Sequence, residues 1–404
     1  MQITPIYSLC IEVVENEFAK KILLNCISSL ENLTEKYGSV ISVILTGSFS
    51  RGEGSVFIED SVGVFVLGDM EFIVVTKQGT DLGNTAIILD TIAREVEASL
   101  REQNIHCAIE FSPVARNFLR RARPTIFNYE LFLNGKVVYG DPGILCEIPV
   151  LTTSKIPEID AFYLLCNRIV EQLFFITKLS SGDLTGLNAY YPFVKLYMDM
   201  AGSFLVITGE YEPSYFLRHE KFSKMSGKDC FIEGSMLTIF LERLGEMTRF
   251  KLQPTKELSM SGMSHAQING LFRSSVEYVR QLWRWEIRFL SRNTEMKSIS
   301  ESYSVILNNF SLKASIRGWL KFFRIAWRIG EPISFLKIFK LLFFGPPQML
   351  IYCAAAQIYF SLDQEKGCDL KKVMDYLPTK AYATDQNEAI AAVVDAWDKF
   401  IRSV

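Results

Sequence analysis

The strongest constraint on the fold is a change of hydrophobic period near residue 150. Before it, short β-branched runs alternate with stretches of helical spacing; from about Ser154 strand-like runs almost vanish and long amphipathic stretches take over. Strand side chains alternate in direction and helical ones return every three or four residues, so the two regions bury their apolar faces in different ways. The order predicts an α+β chain: a mixed sheet with flanking helices, followed by an all-α region. Its expected parts are residues 1–150, 151–295 and 296–404, with breaks at "TTSKIP" (152–157) and "LSRNTEMKSISES" (290–302). With 404 residues, 49% of them hydrophobic, the chain can fill a sizeable core.

In the first part the spacing predicts a helix over 11–37, closed by Gly38, and a short strand at Val40–Leu45. Two short strands around "EDSVG" are expected within Ser55–Val66, then a central strand at Asp69–Thr76, a helix over 80–104 and a strand at Ile105–Phe111. Helices are expected later at 159–179, 191–209, 234–250 and 266–290.

The stretch "TGSFSRGEGSVFIEDSVGVFVLGDMEF" (46–72) carries the candidate chemistry. Period two puts Asp69 and Glu71 on one face of their strand, opposite Met70 and Phe72. Paired carboxylates repel and stay ionised together when cations neutralise them, which suits Mg²⁺. Glu110, in "HCAIEF", is a third acid on a strand expected to pair nearby. Three acids around one point fit a two-metal site for in-line phosphoryl displacement. Gly47 lets backbone approach a ligand closely, amides and the Ser48 hydroxyl can hold phosphates, and Arg51 stands where it could add charge.

This arrangement resembles the DNA polymerase beta-like nucleotidyltransferase superfamily, whose motif is a hydrophobic residue, Gly-Ser, a gap, Asp-x-Asp/Glu and a later carboxylate on a separate strand. "GSFSRGEGS" looks like the Gly-Ser-x-x-Arg-Gly form of its small-molecule members, and the likeness covers residues 1 to 145. Two departures stand out: a longer gap, filled by "VFIEDSVGVF", and Glu71 where many relatives carry Asp. The gap is expected to form a hairpin beside the site. The resemblance implies a Mg²⁺-dependent enzyme that moves a nucleoside monophosphate, AMP from ATP in the first reading, onto a hydroxyl and releases pyrophosphate. Asp69 and Glu71 would hold the metals; Glu110 would hold the second metal or take the acceptor's proton.

"FNYELFLNGKVVYGDP" (127–142) also looks like the tail of this domain in aminoglycoside-type nucleotidyltransferases, which implies a small-molecule or sugar acceptor. There the segment 190–222 would be the helix facing the site, with Lys195 as the candidate triphosphate contact. Arg168, in an apolar helix, reads as half of a buried Arg-Glu pair; His219 and His265 receive no role. The competing class is a nucleotide-binding regulatory protein, or a toxin-antitoxin type module that adenylylates a protein.

The remaining signals concern surroundings and partners. A formal charge of -2 gives no sign of a nucleic-acid binder. Eight dispersed cysteines without a CxxC pair read as buried thiols in a reducing cytoplasm, and no secretion signal is expected from the early acids of the first residues. The uncharged segment Leu341–Leu362 is cut by Gly345-Pro346-Pro347 and reads first as a buried helix hairpin, second as membrane contact. In "KASIRGWLKFFRIAWRIGEPISFLKIFK" (313–340), Arg317, Lys321, Arg324 and Arg328 share one helical face among seven basic residues and one acid. Such a helix suits a solvated polar face, an anionic membrane or lipid-linked acceptor, a phosphate-bearing ligand, or a nucleic-acid or protein partner.

Overall fold

The computed structural model describes residues 16–37, 39–59, 62–180, 187–225, 230–255, 265–293, 295–296, 298–332, 335–364 and 367–402. The first fifteen residues, where part of the expected helix over 11–37 lies, are outside this set; the described helix is α1 (Glu17–Tyr37). After it come β1 (Val40–Leu45), the single turn α2 (Gly47–Ser50), β2 (Ser55–Glu59), β3 (Gly63–Thr76), α3 (Leu82–Arg101), β4 (Ile105–Ala115), α4 (Arg116–Arg120), α5 (Ile126–Asn134) and β5 (Lys136–Gly140). The fold is mixed α and β, with every described strand in one sheet.

β3 organises that sheet. It pairs in parallel with β4 along one edge and antiparallel with both β2 and β1 along the other, and β1 pairs onward with β5. The parallel pair requires a crossover, which α3 supplies. Asp81 starts that helix by accepting from the amides of Gly83 and Asn84 at 3.0 and 3.2 Å. Residues with side chains on one sheet face (Val43, Leu45, Met70, Phe72, Val74, Ile109 and Phe111) form a core with α1 and α3. Ile44, Ile73 and Val75, on the opposite face, pack with Leu119, Leu131 and Ile144. Truncating a fully buried ring such as Phe72 to alanine would cost about 3–5 kcal/mol.

One expectation is corrected. The hairpin across the long gap forms, with Ser55 opposite Leu67 and Glu59 opposite Gly63, but its second strand does not stop at Val66. It continues through Gly68 into Asp69 as one 14-residue strand. Between the pairs Phe65–His106 and Asp69–Ala108, three residues of β3 oppose one of β4, and Gly68 takes a φ of 101°. The gap expected between the two strands is here a bulge around Gly68.

The rest is helical: α6 (Glu158–Ser180), α7 (Leu187–Ile207), α8 (Tyr215–Lys224), α9 (Gly234–Leu252), α10 (His265–Ser291), α11 (Ile299–Asn308), α12 (Leu312–Ile329), α13 (Phe335–Leu341), α14 (Pro347–Tyr359), α15 (Leu370–Tyr376) and α16 (Gln386–Trp397). Compactness divides the chain into two units, one of residues 1–157, 209–218 and 246–258, the other of 158–208, 219–245 and 259–404. The regions expected to separate near residue 296 thus fall in one unit. The expected helix over 190–222 is two helices, because the chain turns at Gly209 (φ 78°), and residues 209–218 join the sheet unit. In the helical unit α14 is buried along almost its whole length, with Pro347 in its first turn, but the expected buried hairpin is met only after the prolines, because Phe343 and Phe344 before them are exposed. Among the described residues no helix is long and apolar enough to cross a membrane, and the seven described cysteines are free.

Candidate functional site

The site lies where one edge of β3 is left open. β1 leaves that edge after the pair Leu45–Phe72 and β2 joins it at Ser55–Leu67, so neither covers Gly68–Glu71. The turn 46–54 occupies the gap. Its first amide, on Thr46, donates to the Glu71 carbonyl at 3.0 Å. The Thr46 hydroxyl accepts from the Gly47 amide at 2.6 Å, and the Ser50 hydroxyl donates back to the Gly47 carbonyl at 2.9 Å.

Two independent facts require glycine at 47. Its φ is 68°, and a Cβ there would stand 2.5 Å from Glu71 Oε2. The Glu71 carboxylate therefore lies directly against the Gly-Ser turn. On the parallel side, Glu71 is in register with Glu110, which places their Cα atoms about 4.8 Å apart with side chains on the same face. Asp69 follows two residues away on that face. Below them the face becomes the second core, through Ile73 and Val75. The carboxylates thus stand where the apolar sheet surface ends. Among the described residues no three His, Cys, Asp or Glu side chains converge in a metal-holding arrangement. Cys107 lies close by, but burial first, then the Asp69 and Glu97 carboxylates, push its thiol up to about 12, so it stays protonated at neutral pH.

Around the turn is a charged and aromatic cluster that sequence reading missed. Arg51, expected to face phosphates, is 5% exposed; it donates to Glu130 at 2.7 Å and to Glu53 at 3.3 Å, and stacks 5.0 Å from the Tyr215 ring centre. Burial works against its charge, yet Glu130 with Tyr215, Tyr211 and Glu53 more than offsets that, so its pKa is raised. Its charge is already matched by carboxylates. Glu53 in turn accepts from the Ser214 hydroxyl at 2.7 Å and the Tyr215 amide at 3.0 Å, which ties residues 209–218 to the turn. Arg218 stacks on the same tyrosine at 5.0 Å and donates to the Tyr211 hydroxyl at 2.9 Å, and that hydroxyl donates to Glu130.

The cation placed at the Gly-Ser turn is Lys251. It is buried, with its Nζ 3.4 Å from Ser48 Oγ and 5.4 Å from the Tyr215 ring, while its carbonyl accepts from the Ser55 hydroxyl at 2.6 Å. Arg51, Arg218 and Lys251 thus gather with Glu53 around Tyr215, and Lys251 reaches the half-exposed Ser48. Lys195 is in the helical unit, half-buried on α7, with its ammonium 5.5 Å from the Tyr191 ring. In that unit Arg168 pairs with Glu171, whose side chain is exposed, and the buried partner is instead Asp199, at 2.9 Å. The local trace of Lys251 was a lysine between Phe250 and Leu252; that of Glu53, an acid one glycine from Arg51. Neither pattern says which distant group it meets.

In comparisons with known proteins, no family model matches the chain and no curated protein resembles it closely enough to count as a relative.

Proposed function

We propose that the sheet unit is a Mg²⁺-dependent nucleotidyltransferase site with a polymerase beta-like fold, transferring a nucleoside monophosphate, AMP from ATP, to a hydroxyl of a small-molecule or sugar acceptor. The observation that carries this reading is the meeting of two half-sites on β3: Glu71 in register with Glu110 and two residues from Asp69, and the Gly47–Ser48 turn lodged against Glu71 with Lys251 at Ser48. One half supplies carboxylates, the other a serine hydroxyl and a cation.

All-oxygen donors of this kind fit a hard divalent ion such as Mg²⁺. Bound there by Asp69 and Glu71, with Glu110 beside them, it would neutralise the phosphates and polarise the reacting phosphorus. The protein's own groups do the rest. Ser48 and Lys251 hold the β- and γ-phosphates as a charge-assisted hydrogen-bonding pair. The Arg51 pairs keep the turn in place, so the α-phosphorus faces the carboxylates. The acceptor oxygen attacks that phosphorus, its bond to the β-phosphate oxygen breaks, and pyrophosphate leaves. The hydroxyl proton passes to the carboxylate of Glu110 where that group is not a ligand.

The test is calorimetric titration with ATP and Mg²⁺, joined to a pyrophosphate-release assay, on the wild type, Asp69→Asn and Glu71→Gln. Metal-dependent binding in the wild type, lost in both variants, supports the reading. No binding, or binding unchanged by both substitutions, refutes it. Binding without pyrophosphate release from any hydroxyl acceptor would instead identify a nucleotide-sensing protein.

A further inference from the structure

The basic segment of the helical unit has no part in the chemistry above. In α12, Ser315, Trp319, Phe322, Ile325 and Ala326 are buried, so the helix is fixed to its unit by one face. At 100° per residue, the outward face divides into two stripes. One holds Leu312, Ile316, Leu320 and Trp327, with 63%, 43%, 62% and 89% of their surfaces exposed. The other, directly beside it, holds Lys313, Arg317, Lys321, Arg324 and Arg328. The helix contains no acid, and none of these five cations forms an ion pair with a described residue.

The next segment repeats the composition. The Trp319 indole donates to the Gly345 carbonyl at 3.1 Å, which holds the exposed Phe343 and Phe344 next to the middle of α12. Phe343 meets the exposed Phe339 edge-on at 5.8 Å. Lys340, Lys371 and Lys372 line a groove of about 1200 Å³ beside Phe344 and Tyr382, against the single acid Asp375.

We propose that this face docks the protein on an anionic lipid bilayer, α12 lying in the plane of the interface with its apolar stripe among the acyl chains and its basic stripe at the headgroups. Charge selects this occupant. A second copy of the chain, meeting the patch through a two-fold axis, would set the five cations against five more. A nucleic acid would satisfy the cations and leave Leu312, Leu320 and Trp327 in water. A bilayer carrying phosphatidylserine satisfies both stripes at once. This inference stands apart from the proposed catalysis, since none of its residues belongs to that site.

The test is co-sedimentation with vesicles of phosphatidylserine and phosphatidylcholine, against vesicles of phosphatidylcholine alone, at low and physiological salt. The wild type is expected on the anionic vesicles only, less so as salt screens the charges. Arg324→Glu with Arg328→Glu should weaken the partition at least about tenfold, and Leu320→Ser with Trp327→Ser should do likewise. These side chains are exposed, so circular dichroism should be unchanged in both. Asp69→Asn should sediment as the wild type does, separating this outcome from that of the nucleotide site. Failure to sediment at low salt, or sedimentation that neither pair of substitutions alters, overturns the proposal. So does concentration-dependent self-association that is lost with Trp327→Ser.

Discussion

Replacing Gly47 by alanine sets apart two costs that the structure puts at one residue. The backbone cost comes from its φ of 68°: an L residue held in the left-handed region loses roughly 1–2 kcal/mol. The second cost is contact, because the new Cβ would lie 2.5 Å from Glu71 Oε2, closer than such atoms approach, and the carboxylate has to move. Gly52 supplies the control. Its φ is 76° and nothing lies within 4 Å of its missing Cβ, so Gly52→Ala carries the backbone cost alone. In thermal unfolding Gly52→Ala should lower Tm by about 2–8 °C, at about 2–4 °C per kcal/mol for a unit of this size. Gly47→Ala should lower it further, and adding Glu71→Ala should return Gly47→Ala toward the Gly52→Ala value, a coupling a double-mutant cycle reads directly. Metal-dependent ATP binding should survive in Gly52→Ala and fall by at least about tenfold in Gly47→Ala, the loss of roughly one charge-assisted contact. Equal losses of Tm and of binding in the two alanine variants, with no coupling to Glu71, would refute the placement of Glu71 against the turn.

Two further outcomes follow from other groups. Lys251→Met removes the ammonium that reaches Ser48; titration calorimetry should show ATP affinity weakened by about 10- to 100-fold while the fold persists by circular dichroism. In the helical unit, burial raises the Glu286 carboxyl to about 8 against an ordinary value of 4.5, partly countered by the Ser203 hydroxyl. The folded state therefore keeps a proton that the unfolded state releases. The stability this contributes is fully present below about pH 4.5 and is lost progressively as pH rises through about 8. Urea unfolding across that range should show the decline in the wild type and a flatter profile in Glu286→Gln.

Much of the sheet unit was legible because its signals are local. β-branched runs at Val40–Leu45 and Ile105–Phe111, the Gly-Ser turn and the alternation at Asp69–Glu71 are properties of neighbouring residues, and each appears where its chemistry puts it. The gap expected between Val66 and Asp69 has the same origin. Nothing local joins the two runs, and strands on both edges of β3 carry the chain through Gly68 as a bulge. The basic helix was legible as basic and amphipathic, but not the division of its aromatics. Trp319 is buried and Trp327 is exposed, although both lie on the same helix, because Gly345 and the Pro346–Pro347 corner cover only the former.

By itself the sequence determined the order of elements, the switch from strands to helices, and the acids and glycine of the proposed site, since each follows from spacing within a few residues. Tertiary structure alone decided which distant groups join them. Lys251 reaches Ser48 across 203 positions, and Ser214 and Tyr215 reach Glu53 across 161 and 162. Arg51, a candidate phosphate contact in the sequence, is held between Glu53 and Glu130 in the fold. Hydrogen bonds and charges act over a few ångströms regardless of separation along the chain, so which distant partner arrives is set by how the helices pack.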